Sequence, residues 1–148
     1  MGLQEYVNKS IQLAREERMR NSDQLTLGEL IERITKIKEK YKEEKDEPIV
    51  KYDFEYLFPT ELMSWRGSYA ELALNFETTG KYMSVSAFLK MLQDAVGATF
   101  EGYKGGDFVM NENTPIWVAN YGNSGNTAII DVLDSKYCVT LITGLREF

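Results

Sequence analysis

Apolar side chains recur at helical spacing in three stretches of this chain and at alternate positions in two others. Leu3, Val7, Ile11 and Ala14 are spaced four, four and three apart, opposite a face carrying Arg15, Glu16, Glu17, Arg18 and Arg20. That spacing predicts a helix over 3–20, ended by Asn21-Ser-Asp23. A lone helix with so narrow a stripe is not stable by itself, so it should lie on the body of the protein or on another subunit. Thr26-Leu-Gly-Glu29 fits a capping box, with Leu25 and Leu30 placed as a hydrophobic staple. The helix that follows carries Leu27, Leu30, Ile34, Ile37 and Tyr41, barely two heptads. A core-facing amphipathic helix and a helix–helix subunit contact both fit that stripe. The charge run Lys42–Glu47 then leads to Pro48, where a helix cannot continue.

Beyond Pro48 the period changes to two. Val50, Tyr52, Phe54 and Tyr56 alternate with Lys51, Asp53 and Glu55, predicting one strand over 49–58 closed by Pro59. After a loop containing Ser64-Trp-Arg-Gly67, the alternation of Leu72, Leu74 and Phe76 predicts a second strand, paired with the first, against the helix propensity of its Ala and Leu. Ser84 reads as an N-cap for a helix carrying Val85, Phe88, Leu89, Leu92 and Val96, with Gly97 at its C′ position. Thr99-Phe-Glu101 reads as a short extended link into a glycine-rich loop, followed by strands at 115–119, 127–133 and 136–142. The last two form a hairpin about Asp134-Ser135. The expected fold is α+β: N-terminal helices, then a mainly antiparallel sheet of about five strands with one helix packed across it. Residues 1–24 form an amphipathic element suited to an oligomer contact, and 25–148 a single domain.

Charge and composition narrow the function. The chain has 148 residues and a formal net charge of −6. Residues 1–47 hold ten Lys/Arg against eleven Asp/Glu, and residues 48–148 hold seven against twelve. Sixteen of the eighteen aromatics lie beyond residue 50, so the aromatic half is also the acidic half. That distribution opposes a long nucleic-acid groove, which needs aligned Lys and Arg. A small nucleotide needs only one Arg and a few backbone N–H groups. No run resembles a signal peptide or a membrane span, so a cytoplasmic protein without membrane partners is expected. The chain has no histidine, which excludes His-based triads, His metal sites and His general bases. Cys138 stands alone in an apolar run and reads as a buried structural thiol.

Five of the eleven glycines fall between Gly102 and Gly125, interleaved with Tyr103, Phe108, Trp117 and Tyr121. Glycines admit close approach of a backbone and aromatics offer flat faces, so this stretch is the first candidate binding surface. Lys104, Gly105, Gly106 and Asp107 make a small basic glycine loop without the Walker A order, which is also consistent with an ordinary turn. Trp65 and Arg66 form a second candidate, since a guanidinium in a loop can stack on a base or grip a phosphate; Trp65 plugging the core edge, with Arg66 paired to a local carboxylate such as Glu71, is the plainer alternative. Asn120 and Tyr121 open a third, amide-rich turn able to read the edges of a base, or simply a solvated turn. Tyr69 and Trp117 complete the expected ligand-binding set. The carboxylates Asp53, Glu55, Glu61, Glu71, Asp107 and Asp131 show no spacing that unites an acid–base pair, so no catalytic residue, metal or cofactor is expected.

Phe58-Pro-Thr-Glu-Leu-Met-Ser-Trp-Arg-Gly-Ser-Tyr69, Gly102-Tyr-Lys-Gly-Gly-Asp-Phe108 and Thr114-Pro-Ile-Trp-Val-Ala-Asn-Tyr-Gly122 resemble a group of short uncharacterised bacteriophage proteins. In size and in its helical N-terminus the chain is also similar to phage anti-defence sponge proteins, which sequester cyclic nucleotide or cyclic ADP-ribose signals. That architectural likeness implies a non-enzymatic homo-oligomer in the host cytoplasm that binds a small nucleotide-type ligand. Two other readings stay open: an inhibitor or adaptor bound to a host defence protein, and a carboxylate-dependent hydrolase.

Overall fold

The computed structural model describes residues 24–53, 57–77, 82–102, 104–119 and 126–146. The helix expected over 3–20, and nearly all of the 1–24 element, fall outside these residues, as do Phe54, Glu55, Tyr56 and the 78–80 turn.

Helix α1, Leu27–Lys40, begins where the sequence places it. A helix start leaves its first N–H groups without intrahelical partners, and here each is satisfied. The Leu27 N–H donates to the Thr114 carbonyl and the Gly28 N–H to the Glu112 carbonyl, both at 2.8 Å. The Glu29 N–H donates to the Thr26 hydroxyl at 3.2 Å, and the Glu29 carboxylate accepts from the Thr26 N–H at 3.2 Å. Leu27, Leu30, Ile34 and Ile37 are all buried in the chain's own core, with Tyr41 packed at its edge. That occupancy decides between the two readings of the stripe in favour of the core.

Nine strands follow: β1 Ile49–Tyr52, β2 Phe58–Trp65, β3 Ser68–Glu77, β4 Met83–Ser84, β5 Thr99–Glu101, β6 Asp107–Val109, β7 Ile116–Val118, β8 Thr127–Asp134 and β9 Cys138–Leu145. Helix α2, Val85–Ala95, separates β4 from β5 and is capped by the Ser84 hydroxyl, which accepts from the Ala87 N–H. Seven strands form one sheet in the order β2-β3-β7-β8-β9-β1-β4, and β5 and β6 form a separate ribbon. The fold is α+β as expected, but the sheet is mixed and larger than five strands. β1 runs parallel to β9, and β3 parallel to β7.

Three local expectations need correction. The strand expected over 49–58 is divided. The chain bends at Asp53, whose carboxylate accepts from the Thr143 N–H at 3.0 Å and its hydroxyl at 2.8 Å, and the Tyr52 N–H turns to the Leu57 carbonyl. Pro59 lies inside β2 opposite Phe76 and does not close a strand. It is tolerated because β2 is an edge strand, where a missing N–H interrupts no second ladder. Finally, Thr99–Glu101 is no mere link. It is one arm of a hairpin in which Glu101 faces Asp107.

Both helices cover one face of the sheet, where Leu30, Ile34, Val50, Tyr52, Leu72, Leu74, Phe88, Leu92, Ile116 and Leu141 share a single core. Burial pushes the Tyr52 hydroxyl well above its ordinary pKa, so it stays a neutral donor, to the Leu74 carbonyl at 3.0 Å. On the outer side α1 is tied to β8 by Arg33 with Asp131, and by Lys40 and the Tyr41 hydroxyl, both donating to Asp134. Those two hydrogen bonds hold the Asp134 carboxyl below its usual range.

Thr26→Ala removes the cap but neither of the carbonyl partners at 112 and 114. It is expected to lower the unfolding free energy by about 1 kcal/mol, read from urea denaturation with an unchanged slope.

Candidate functional site

Trp65 ends β2, Arg66 and Gly67 make the turn, and Ser68 opens β3 directly opposite Trp65. The expected Ser64–Gly67 loop is therefore a two-residue hairpin tip. The Trp65 ring folds back over that tip: a Cβ on Gly67 would stand 2.5 Å from its Cη2 atom. It also stacks on Trp117 of β7, at 4.0 Å between centroids and 7° between planes. The two rings bridge across β3, where small Ala73 leaves room, and form a second core with Ala119 and Ala128 on the face away from the helices.

This arrangement corrects the role expected of Trp117, and places Trp65 as the plainer alternative had it, at the edge of a core. Trp65 is 4% exposed and Trp117 not at all, and the Trp117 indole N–H donates to Glu71 at 3.0 Å. Each ring spends a face on the other and is buried. Glu71 is likewise committed to Trp117.

The glycine-rich stretch is a hairpin loop between β5 and β6. The Gly102 N–H donates to the Gly106 carbonyl and the Gly105 N–H to the Gly102 carbonyl, both at 2.9 Å. Gly105 and Gly106 have φ of +96° and +87°, a conformation that side chains rarely adopt. Lys104, Gly105, Gly106 and Asp107 are all exposed. Nothing described lies within 4 Å of a Cβ built on Gly105, so this edge of the loop is open to an approaching group.

One contact joins the two turns. Tyr69, two residues past Gly67, meets the Phe108 ring edge-on at 5.8 Å between centroids. Its Cδ2 would lie 3.0 Å from a Cβ on Gly102, so the loop's first glycine is seated against the tyrosine. The Arg66 turn and the Lys104 loop thus meet at one corner, with half-buried Tyr69 between them. Tyr103, Asn120 and Tyr121 fall outside the described residues.

The candidate carboxylates are dispersed. Asp53 is held by Thr143, Glu71 by Trp117 and Asp131 by Arg33, while Asp107 is exposed at the loop. Among the described residues no three His, Cys, Asp or Glu side chains gather as metal ligands. No described helix is long and apolar enough to cross a membrane. Sequence reading missed a groove lined by Thr60, Leu62, Met83, Met91 and Phe100. Its parts come from four separate elements, and Pro59 within β2 is the one local sign of irregularity there.

Gly67→Ala drives a methyl group into the Trp65 ring and forces it off Trp117. The expected cost is about 1–3 kcal/mol by urea denaturation, as for other overpacked sites. Because Trp65 and Trp117 are the chain's two tryptophans, the near-UV circular dichroism should lose their coupled signal at the same time.

No family model, curated protein or solved structure matches this chain.

Proposed function

We propose that this chain is a non-enzymatic, oligomeric phage anti-defence protein that sequesters a small nucleotide-type immune signal in the host cytoplasm. The observation that supports it is the Tyr69–Phe108 contact with Gly102 seated beside it, which draws two turns to one corner. Each turn carries one cation, Arg66 or Lys104, next to glycine. A guanidinium can take two phosphate oxygens at once, and an ammonium on a mobile stem adds a point charge. The tyrosine between them offers an aromatic edge to a base. Sequestration needs binding and no turnover, which agrees with Asp53, Glu71 and Asp131 being committed to structural partners. Two cations are a thin grip for a nucleotide, and a second copy of the chain would double it.

A second reading, a protein that docks on a host defence protein, is favoured by the end of the β8–β9 hairpin. There Leu133 is 58% and Tyr137 74% exposed, more than a purely structural turn requires.

Calorimetry against cyclic mono- and dinucleotides and cyclic ADP-ribose isomers tests the first reading. Saturable heat is expected with one of these classes. Arg66→Ala and Lys104→Ala should each weaken binding roughly tenfold or more, the loss typical of one charge-assisted contact. No heat with any of the panel overturns it, and capture of a single host protein by the ligand-negative chain would favour the second.

A further inference from the structure

Along β2 the pairing with β3 runs Pro59 to Phe76 and then Leu62 to Leu74, three steps on one strand against two on the other. One extra residue is therefore accommodated at Thr60-Glu61, a β-bulge, and bulges re-aim the side chains they carry. Here the bulge opens onto a groove of about 450 Å³ between β2, β4, α2 and β5. Leu62, Met83, Met91, Ala95 and Phe100 give it an apolar floor, and Glu61 and Asp94 stand at its rim. Thr60 lines the same groove, but its hydroxyl oxygen lies beneath the surface, without a hydrogen-bond partner among the described residues. A buried hydroxyl without a partner is costly and uncommon in a folded chain.

We infer that this groove is a second binding site, distinct from the Arg66–Lys104 corner, and that it takes a small amphipathic organic cation: an amine on an apolar body about the size of a phenylalkyl group. Two features select that chemistry. The volume falls within the range of small-molecule sites, and the floor is apolar with two thioethers that adapt to an irregular body. Both ionisable groups in the lining are carboxylates, so a phosphate or carboxylate ligand is repelled and an ammonium attracted. Existing partners of the carboxylates are weak competitors. Lys90 meets Asp94 at 2.8 Å in a solvent-exposed pair, and the Asn75 amide reaches Glu61 only at 3.5 Å.

Titration of the full chain with 4-phenylbutylamine, 4-phenylbutanol and 4-phenylbutyrate, followed by calorimetry and saturation-transfer NMR, tests the assignment. The amine should bind saturably and about tenfold more tightly than the alcohol, with the acid weakest, as expected when a charge-assisted contact is added to the same apolar body. The double variant E61Q/D94N should bring amine and alcohol to equal affinity. Met91→Trp, checked for folding by circular dichroism, should block all three. No saturable amine binding, an acid that binds as well as the amine, or a preference unmoved by E61Q/D94N would each overturn the proposal.

Discussion

Between β7 and β8, which pair directly at Trp117 and Ala128, the sheet opens into a gap that Leu25 closes. Its N–H donates to the Ile129 carbonyl of β8 at 2.8 Å, and its carbonyl accepts from the Ile116 N–H of β7 at 3.3 Å. Gln24 adds a side-chain bond to the Ile116 carbonyl, and Thr26 bridges to Pro115. Within two further residues the chain has become helix α1, with its first N–H groups already bonded to the 112–114 turn. Buried backbone groups must be paired somewhere, and this short segment pairs those of both strands and of the helix start together. Helix and sheet are thereby fixed to each other through the backbone.

That junction sets what β7 can do. Held between β3 and the Leu25 segment, β7 is covered on both faces: Ile116 and Val118 enter the main core, and Trp117 meets Trp65 behind the sheet. The tryptophan stack in turn orients the β2–β3 tip, and Tyr69 leads from that tip to the glycine hairpin. The corner proposed to bind a ligand is thus carried on a rigid support. Its aromatic residues divide into two buried rings that stiffen the tip and one half-buried ring that lines it.

The elements legible in the sequence are those decided within a few residues. The Thr26–Glu29 cap, the Ser84 cap and the strand at Leu72–Phe76 depend on spacings of two to four, and all three form. The bend at Asp53 was hidden because the alternation from Val50 through Phe58 runs straight across it, and Thr143, which holds Asp53, lies 90 residues away. The parallel pairs are also remote in the chain, Ile49 meeting Cys138 across β1–β9 and Leu72 meeting Ile116 across β3–β7, so no local pattern marks them. For the site, the glycine loop and the Arg66 turn were visible as turns. Trp117 was misjudged from its nearness to glycines, although the unbroken apolar run Ile116-Trp-Val-Ala119 is the pattern of a strand buried on both faces.

What ties fold to function is the proposal that this corner holds a phosphate-bearing ligand and leaves it chemically unchanged. The most direct measurement is to purify the chain from cells that make cyclic nucleotide or cyclic ADP-ribose signals, denature it by heat, and identify what is released by mass. The account predicts an intact nucleotide-type compound in fixed proportion to the protein. Release of a hydrolysed product, or of no such compound, would contradict it.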